Sequence, residues 1–184
     1  IVAEAAHRTA ASILRNQASV AGTLIAEPAG IFAVALTVLD ARIVCAGEKT
    51  IEVAITDFLA MMDHFTMRGL VTEIIIPAAS RKKRAALQTV ARTPRDKPIV
   101  CAGASARIEN GIAREVRIAL GGVAESAVRA NKTERELENK RLDDSVIEQA
   151  AGLASQGLSP RGEYRKEMAM VLTRRAVNAI MLTD

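Results

Sequence analysis

The segment of residues 15–25 contains the residue types best placed to do chemistry, and it reads R-N-Q-A-S-V-A-G-T-L-I. A glycine among small residues lets backbone N–H groups approach an anion closely. The hydroxyls of Ser19 and Thr23 can donate hydrogen bonds to the same anion. We expect Ala21, Gly22 and Thr23 to form a turn between two apolar segments. Taken alone, the segment is explained more simply as a tight turn that holds no ligand.

Other reactive residues do not form a catalytic or metal-binding set. His7 and His64 lie far apart, with no cysteine or acid at metal-ligand spacing, and we expect both on helix surfaces or at interfaces. The sequence has no phosphate-binding glycine motif and no serine in a nucleophile elbow. Asp143 and Asp144 are typical of a helix start. We therefore predict neither a catalytic residue nor a metal ligand.

Composition excludes several classes of protein. Of the 184 residues, 49% are hydrophobic and 25% charged, which is typical of a globular protein. The net charge is +4, but the charges are interspersed and only 2% of residues are aromatic. The chain therefore lacks a stacking platform for single-stranded nucleic acid, and we predict no nucleic-acid binding. No apolar run is long enough to predict a membrane span.

Two features of the sequence concern its context. Cys45 and Cys101 both lie in apolar runs, which favours buried free thiols in a reducing compartment, the cytoplasm. The chain begins at Ile1, inside a helical pattern and without an initiator methionine. We therefore expect it to be a piece of a longer protein.

The first half of the chain predicts helices around a small sheet. Alanine-rich residues 1–14 predict a helix that ends near Arg15. Residues 29–40 are apolar nearly all round and predict a buried helix. Alternation on both sides of Gly47 predicts a hairpin, followed by a short helix over 56–62. A strand over 71–76 is expected to stop at Pro77, which cannot continue it.

A basic run over residues 80–84 follows, and we place a domain boundary before it, at 78/79. The run could be a phosphate or partner site, although such charge runs are usually solvated. Three antiparallel strands are predicted over 85–92, 99–108 and 112–120, and Asn110-Gly111 makes a tight turn between the last two. Helices are then predicted over 133–140, 143–156 and 162–182. The second half is thus an α+β layer.

Several short motifs occur in one order along the whole chain. After the segment at 15–25 come Pro28 and an apolar helix that ends in L-D-A. The later motifs are D-F-L at 57–59, T-E-I-I-I-P at 72–77, R-T-P-R-D at 92–96, R-I-A-L-G-G-V-A at 117–124, E-Y-R at 163–165 and V-L-T-R-R-A at 171–176. This order resembles the FAD-binding medium subunit of the molybdenum hydroxylases, the family of xanthine dehydrogenase and aerobic carbon monoxide dehydrogenase.

The resemblance implies a fold and a division into domains. It implies an α+β protein in which residues 1–78 form the second α/β subdomain of a FAD-binding domain. Residues 79–184 then form a carboxy-terminal domain like that of carbon monoxide dehydrogenase flavoproteins, with a three-stranded antiparallel sheet packed on a helical bundle. The family's first FAD subdomain, which carries the pyrophosphate loop, is missing from this chain.

The resemblance also implies a cofactor site. The family shows R-N-x-A-T-I-G-G-N-L where this chain has residues 15–24, so Ser19, Val20, Ala21, Gly22 and Thr23 match the residues that line FAD. Ala21 replaces a glycine and Thr23 replaces an asparagine. Further on, where the family has a Ser-Asp pair, this chain has glycine and isoleucine at positions 30 and 31.

The function implied is that of a flavoprotein electron-transfer subunit, or a fragment of one. Electrons would pass from two [2Fe–2S] clusters through FAD to an acceptor. The partners would be a molybdopterin-binding large subunit and a [2Fe–2S] small subunit, and the fragment alone would not be catalytic. The alternative is a flavin-free scaffold or interaction domain with the same fold, which the departures at Ala21 and Ile31 favour.

Overall fold

The computed structural model describes residues 1–10, 12–93, 96–157 and 162–182. The amino-terminal part holds helices α1 (Val2–Thr9), α2 (Ser12–Arg15), α3 (Val20–Ala26) and α4 (Ile31–Val38). The prediction of a single helix up to Arg15 is wrong, because Ala10 has an extended backbone and separates α1 from α2. Arg15 stabilises this break by donating from its guanidinium to the carbonyl oxygens of His7 (2.9 Å) and Ala10.

The turn predicted at residues 21–23 is also wrong, because these residues form the first turns of α3. Ser19 has an extended backbone, and its Oγ accepts a hydrogen bond from the N–H of Gly22 at 2.9 Å. A serine in this position satisfies one of the free N–H groups at a helix start. The cap thus offsets the low helix propensity of Gly22.

A small antiparallel sheet follows α4 and confirms the predicted hairpin. Its strands are β1 (Arg42–Gly47), β2 (Thr50–Ala54) and β3 (Gly69–Ile75), in the spatial order β2-β1-β3. Helices α5 (Ile55–Ala60) and α6 (Met62–Thr66) connect β2 to β3. A short 3₁₀ segment, Ala78–Lys82, leads into the second half.

The second sheet contains the three predicted strands and one short addition. Strands β4 (Arg84–Val90), β5 (Val100–Glu109) and β6 (Ile112–Gly121) pair antiparallel in that order, and the two-residue strand β7 (Val128–Arg129) pairs with β6. Asn110 and Gly111 both have positive φ, as the tight turn requires. The predicted α+β class is confirmed.

Helices cover both faces of this four-stranded sheet. Helices α7 (Asn131–Leu137) and α9 (Glu163–Leu182) pack on one face, α8 (Asp144–Gly152) packs against these two helices, and α4 packs on the other face. All eight residues of α4 are buried. Gly103 of the sheet lies beneath it, and a Cβ added there would lie 2.9 Å from Cγ1 of Val34. The glycine at this position lets α4 approach the sheet closely.

The two hydrophobic cores do not follow the predicted boundary at 78/79, which stays a prediction. One core is centred on α4 and the small sheet, but it also includes Leu87, Cys101, Ala119 and Ala127 from the second half. The other core lies between the large sheet and α7–α9.

Among the described residues no single helix is long and apolar enough to span a membrane. Helices α3 and α4 reach that length and hydropathy only when they are taken together, and the pair is bent by 107°.

Candidate functional site

The predicted site residues lie at the amino-terminal end of α3. Ser19 and Val20 are exposed, and Thr23 is half-buried. A Cβ added at Gly22 would lie 2.8 Å from Oγ of Ser19, so glycine is needed for the serine to cap the helix. The cap made by Ser19 therefore explains why glycine stands at position 22.

A pocket of about 170 Å³ opens beside this helix end. Its lining comes from α1, α2, α4 and the start of α3, and consists of Ala6, Thr9, Ala10, Arg15, Ala18, Ser19, Val20, Thr23 and Phe32. Three of the predicted residues, Ser19, Val20 and Thr23, line this pocket, whereas Ala21 and Gly22 do not. Sites that enclose a whole small molecule are usually about 300–1,000 Å³. The pocket is therefore large enough for only part of a larger ligand.

Polar groups at this pocket suit an anionic group. The first N–H groups of a helix have no partner within the helix, and they favour negative charge. The N–H of Gly22 is already bonded to Ser19, which leaves the N–H groups of Val20 and Ala21 at the helix start. The hydroxyl of Thr23 adds a further donor at the wall of the pocket. One phosphate group is the ligand for which this set is suited.

Sequence reasoning missed the residues that complete the pocket. Arg15 was recognised as the start of the motif, but its guanidinium closes the break between α1 and α2 and does not stand free. Phe32 and Thr9 reach the pocket from neighbouring helices. Their roles depend on how α1 and α4 pack, which no local spacing in the sequence reveals.

Gly30 and Ile31 stand where the family has its Ser-Asp pair, and Ile31 is buried in the core. Gly30 lies immediately before α4, and Ile31 is its first residue. The side chain of Ile31 is only 1% exposed and belongs to the first hydrophobic core. An apolar buried residue at this position cannot offer the hydrogen bond that an aspartate would.

The basic run at 80–84 is mainly a structural element. The hydroxyl of Ser80 donates to the carbonyl oxygen of Leu39 at 2.9 Å. Lys83 has a side chain only 4% exposed, and its Nζ lies 3.2 Å from Oδ2 of Asp40 and 3.8 Å from Oε2 of Glu115. The expectation that the run is solvated is thus wrong for Lys83, although Arg81 and Lys82 are exposed.

Asp40 is the centre of a charged network that joins the two halves. Nε of Arg117 donates to both of its carboxylate oxygens, at 2.7 and 2.9 Å, and Arg129 lies at 3.8 Å. Arg129 also pairs with Glu134, whose Oε1 accepts from the N–H of Ile118 at 2.9 Å. The hydrogen bond to Glu134 raises the pKa of the Arg129 guanidinium. The L-D-A and R-I-A-L-G-G motifs therefore meet in this network.

Gly121 of the R-I-A-L-G-G-V-A motif and Arg165 of the E-Y-R motif have structural roles at the large sheet. A Cβ added at Gly121 would lie 2.3 Å from the carbonyl oxygen of Ala29, so only glycine fits beneath the start of α4. Arg165 of the E-Y-R motif donates to the carbonyl oxygens of Ile99 (2.6 Å) and Gly122. These motifs are thus explained by packing. Of the R-T-P-R-D motif, Pro94 and Arg95 lie outside the described residues.

Both cysteines are buried and free, as predicted. Burial raises the pKa of the Cys45 thiol, and it raises the pKa of Cys101 to about 12. Within the described ranges no cluster of histidine, cysteine and acidic side chains could hold a metal ion.

Two family models match the chain in sequence. Residues 1–79 match the FAD binding domain in molybdopterin dehydrogenase, and residues 85–180 match the CO dehydrogenase flavoprotein C-terminal domain. A curated relative, the glyceraldehyde dehydrogenase medium chain of Sulfolobus acidocaldarius, is 27% identical over 178 residues. That alignment covers 91% of this chain and 63% of the relative, so the chain spans less than two thirds of the relative's length.

Solved structures share the fold of this chain. Carbon monoxide dehydrogenase from Hydrogenophaga pseudoflava has a TM-score of 0.87 at 24% identity, over 98% of this chain and 66% of that one. Quinoline 2-oxidoreductase from Pseudomonas putida 86 has a TM-score of 0.78 at 26% identity, over 95% of this chain and 64% of that one.

The matched models define the class as FAD-binding domains of molybdenum-containing dehydrogenases. The chain belongs to the FAD-binding medium subunits of the molybdenum hydroxylase family. The residues at the start of α3 fit this cofactor in part, because N–H groups and hydroxyls suited to one phosphate lie beside a pocket of limited size. Ile31 does not fit a polar contact to the flavin.

Proposed function

We propose that this chain forms one wall of an FAD site in the medium subunit of a molybdenum hydroxylase-type oxidoreductase. The observation that carries the proposal is the pocket beside α3, where Ser19, Val20 and Thr23 lie within the segment matched by the FAD-binding model. Ser19 and Thr23 would donate hydrogen bonds to the pyrophosphate. Ala21 and Gly22 would keep the backbone near it free of large side chains.

The rest of the FAD site would come from a first FAD subdomain outside this chain. A pocket of about 170 Å³ encloses only part of such a cofactor, and the chain spans 63% of its curated relative. The division of the chain at 78/79 into a FAD subdomain and a carboxy-terminal domain belongs to the same proposal. The chain alone would bind FAD weakly and would not be catalytic.

FAD, when bound, would supply the redox chemistry, while the protein holds and orients it. In the proposed complex, a small subunit would hold the [2Fe–2S] clusters that supply electrons to FAD, and an acceptor would take the electrons from FAD. A large subunit would hold the molybdopterin at which the substrate would be oxidised. The two free thiols support a reducing compartment, and we place the complex in the cytoplasm.

The alternative of a flavin-free scaffold rests on Ile31, whose burial removes one polar contact. We favour the flavoprotein because the donors at the start of α3 are retained despite that loss. Purification of the full-length gene product with its partner subunits separates the two. We expect visible flavin absorbance with about one FAD per chain, and a colourless complex would contradict the proposal.

A substitution tests the role of the pocket itself. Thr23→Val keeps the shape of the side chain but removes its hydroxyl. Because a hydrogen bond to a charged group contributes about 1.5–3 kcal/mol, FAD affinity should fall roughly 10- to 150-fold. Thr50→Val, on an exposed position of β2, is the matched control and should leave FAD affinity unchanged. Equal affinities in the two variants would remove Thr23 from the site.

A further inference from the structure

A pocket of about 520 Å³ lies at the far end of the small sheet. It is formed by the turn between β1 and β2, by α6, and by the start of β3. It shares no lining residue with the pocket at α3. Its volume lies within the range of about 300–1,000 Å³ typical of sites for small molecules.

The floor of this pocket is apolar and partly aromatic. Cys45 and Phe65 are buried at its base. The Phe65 ring stacks on Phe58, with centroids 5.8 Å apart, and His64 meets Phe65 edge-on at 5.5 Å. Because aromatic rings pack well in stacked and edge-to-face arrangements, this floor suits a planar ring.

The mouth of the pocket exposes apolar side chains that no described residue covers. Met67 is 86% exposed and Ile51 is 41% exposed, and both line the pocket. Exposed large apolar groups at the edge of a cavity are typical of binding sites. A ring that entered the pocket would bury part of both side chains.

Two cations, Lys49 and Arg68, line the mouth of the same pocket. Within the part of the chain that the structure describes, neither forms an ion pair. Glu48 is the single acid in the lining. A carboxylate on the ligand would meet these two cations, and guanidinium groups bind carboxylates in a fixed two-point geometry.

We propose that this pocket binds a planar aromatic molecule that carries one carboxylate, with its ring against Phe65 and Ile51 and its acid at Lys49 and Arg68. The site is independent of the proposed flavin function, since no residue is shared between them. It gives the small sheet a ligand-binding role of its own.

Naphthoate and its uncharged amide, naphthamide, are matched probes for this site. The full chain, labelled at methionine and isoleucine methyl groups, is titrated with each probe and followed by nuclear magnetic resonance. Naphthoate should shift the methyl signals of Met67 and Ile51 and leave that of Ile13 in place, although Ile13 is 74% exposed. It should bind at least about tenfold more tightly than naphthamide, because only naphthoate pairs with the cations.

The double variant Lys49→Gln with Arg68→Gln should remove the preference for naphthoate. The double variant Arg81→Gln with Lys82→Gln loses the same charge from exposed positions outside the pocket and should retain it. Equal shifts at Ile13, equal affinity for the two probes, or an equal loss in both double variants would overturn the proposal.

Discussion

Replacing Asp40 with asparagine removes one negative charge from the network between the two halves and changes little else. Asp40 has a φ of 53°, in the left-handed region that asparagine also tolerates. The side chain keeps its size and one of its oxygen atoms. The variant thus isolates the charge that pairs with Arg117 and Lys83.

The cost follows from the burial of the partners. The side chain of Lys83 is 4% exposed, and without Asp40 its nearest acid is Glu115 at 3.8 Å. Removing one member of a buried ion pair costs about 3–5 kcal/mol. Because the Asp40 side chain is 33% exposed, water partly screens the loss. We therefore expect the free energy of unfolding to fall by about 3 kcal/mol, the lower end of the range.

Urea unfolding of four proteins measures this cost: wild type, Asp40→Asn, Lys83→Met and the double variant. The two substitutions should be coupled by about 1–3 kcal/mol, since Lys83→Met removes the cation that asparagine leaves unpaired. Glu167→Gln, at an exposed site on α9, is the control for loss of an acid. A loss below about 0.5 kcal/mol for Asp40→Asn, as at ordinary surface sites, would refute the reasoning.

Three further predictions concern packing, pH and the break in the first helix. Gly121→Ala should lower the free energy of unfolding by about 1–3 kcal/mol, because its Cβ would meet the carbonyl oxygen of Ala29 at 2.3 Å. Thermal melts measure this loss, and Gly152→Ala, which has open space around its Cβ, is the control that should not show it. Cys101 has a pKa raised from 9.0 to about 12, so the folded state keeps its proton while the unfolded thiol ionises. Stability should therefore fall above pH 9 by up to about 1.4 kcal/mol per pH unit, and unfolding of Cys101→Ala at the same pH values should lack this slope. Arg15→Met should speed amide hydrogen exchange in α1, because the carbonyl groups of His7 and Ala10 at the end of α1 lose the guanidinium that donates to them. Unchanged exchange would rule out this capping role.

Local signals predicted most of the elements. Asn110 and Gly111 indicated a tight turn, and both have the positive φ that such a turn requires. The start of α8 was visible at Asp143, whose carboxylate accepts from the N–H of Val146 at 2.9 Å. Each of these features depends on residues within four positions of one another, so the sequence displays it directly.

Features that depend on distant residues could not be predicted. Asp40 meets Arg117 across 77 positions of sequence, and nothing near either residue indicates the pairing. Glu115 has a φ of 53°, and the carboxylate of Glu138 accepts from its backbone N–H at 2.9 Å. A glutamate in the left-handed region is uncommon, so local preference argues against this conformation. Such a conformation persists only when the surrounding structure holds it in place.

The start of α3 shows how two local signals can compete. Gly22 costs a helix about 1 kcal/mol relative to alanine, which favours a turn. The hydrogen bond from the N–H of Gly22 to Ser19 stabilises the helix start by a similar free energy, so the helix forms. Of the residues predicted for the candidate site, Ser19, Val20 and Thr23 line the pocket, whereas the wall supplied by Phe32 depends on the packing of α4, which the sequence does not display.

The burial of α4 limits how this protein can be recombined with its relatives. By sequence, α4 falls within the match at residues 1–79, yet it covers one face of the sheet built by the match at residues 85–180. A chimera joined between the two matches would place one parent's helix on the other parent's sheet. Such exchanges should succeed only when Gly103 and Gly121, or equally small residues, accompany α4.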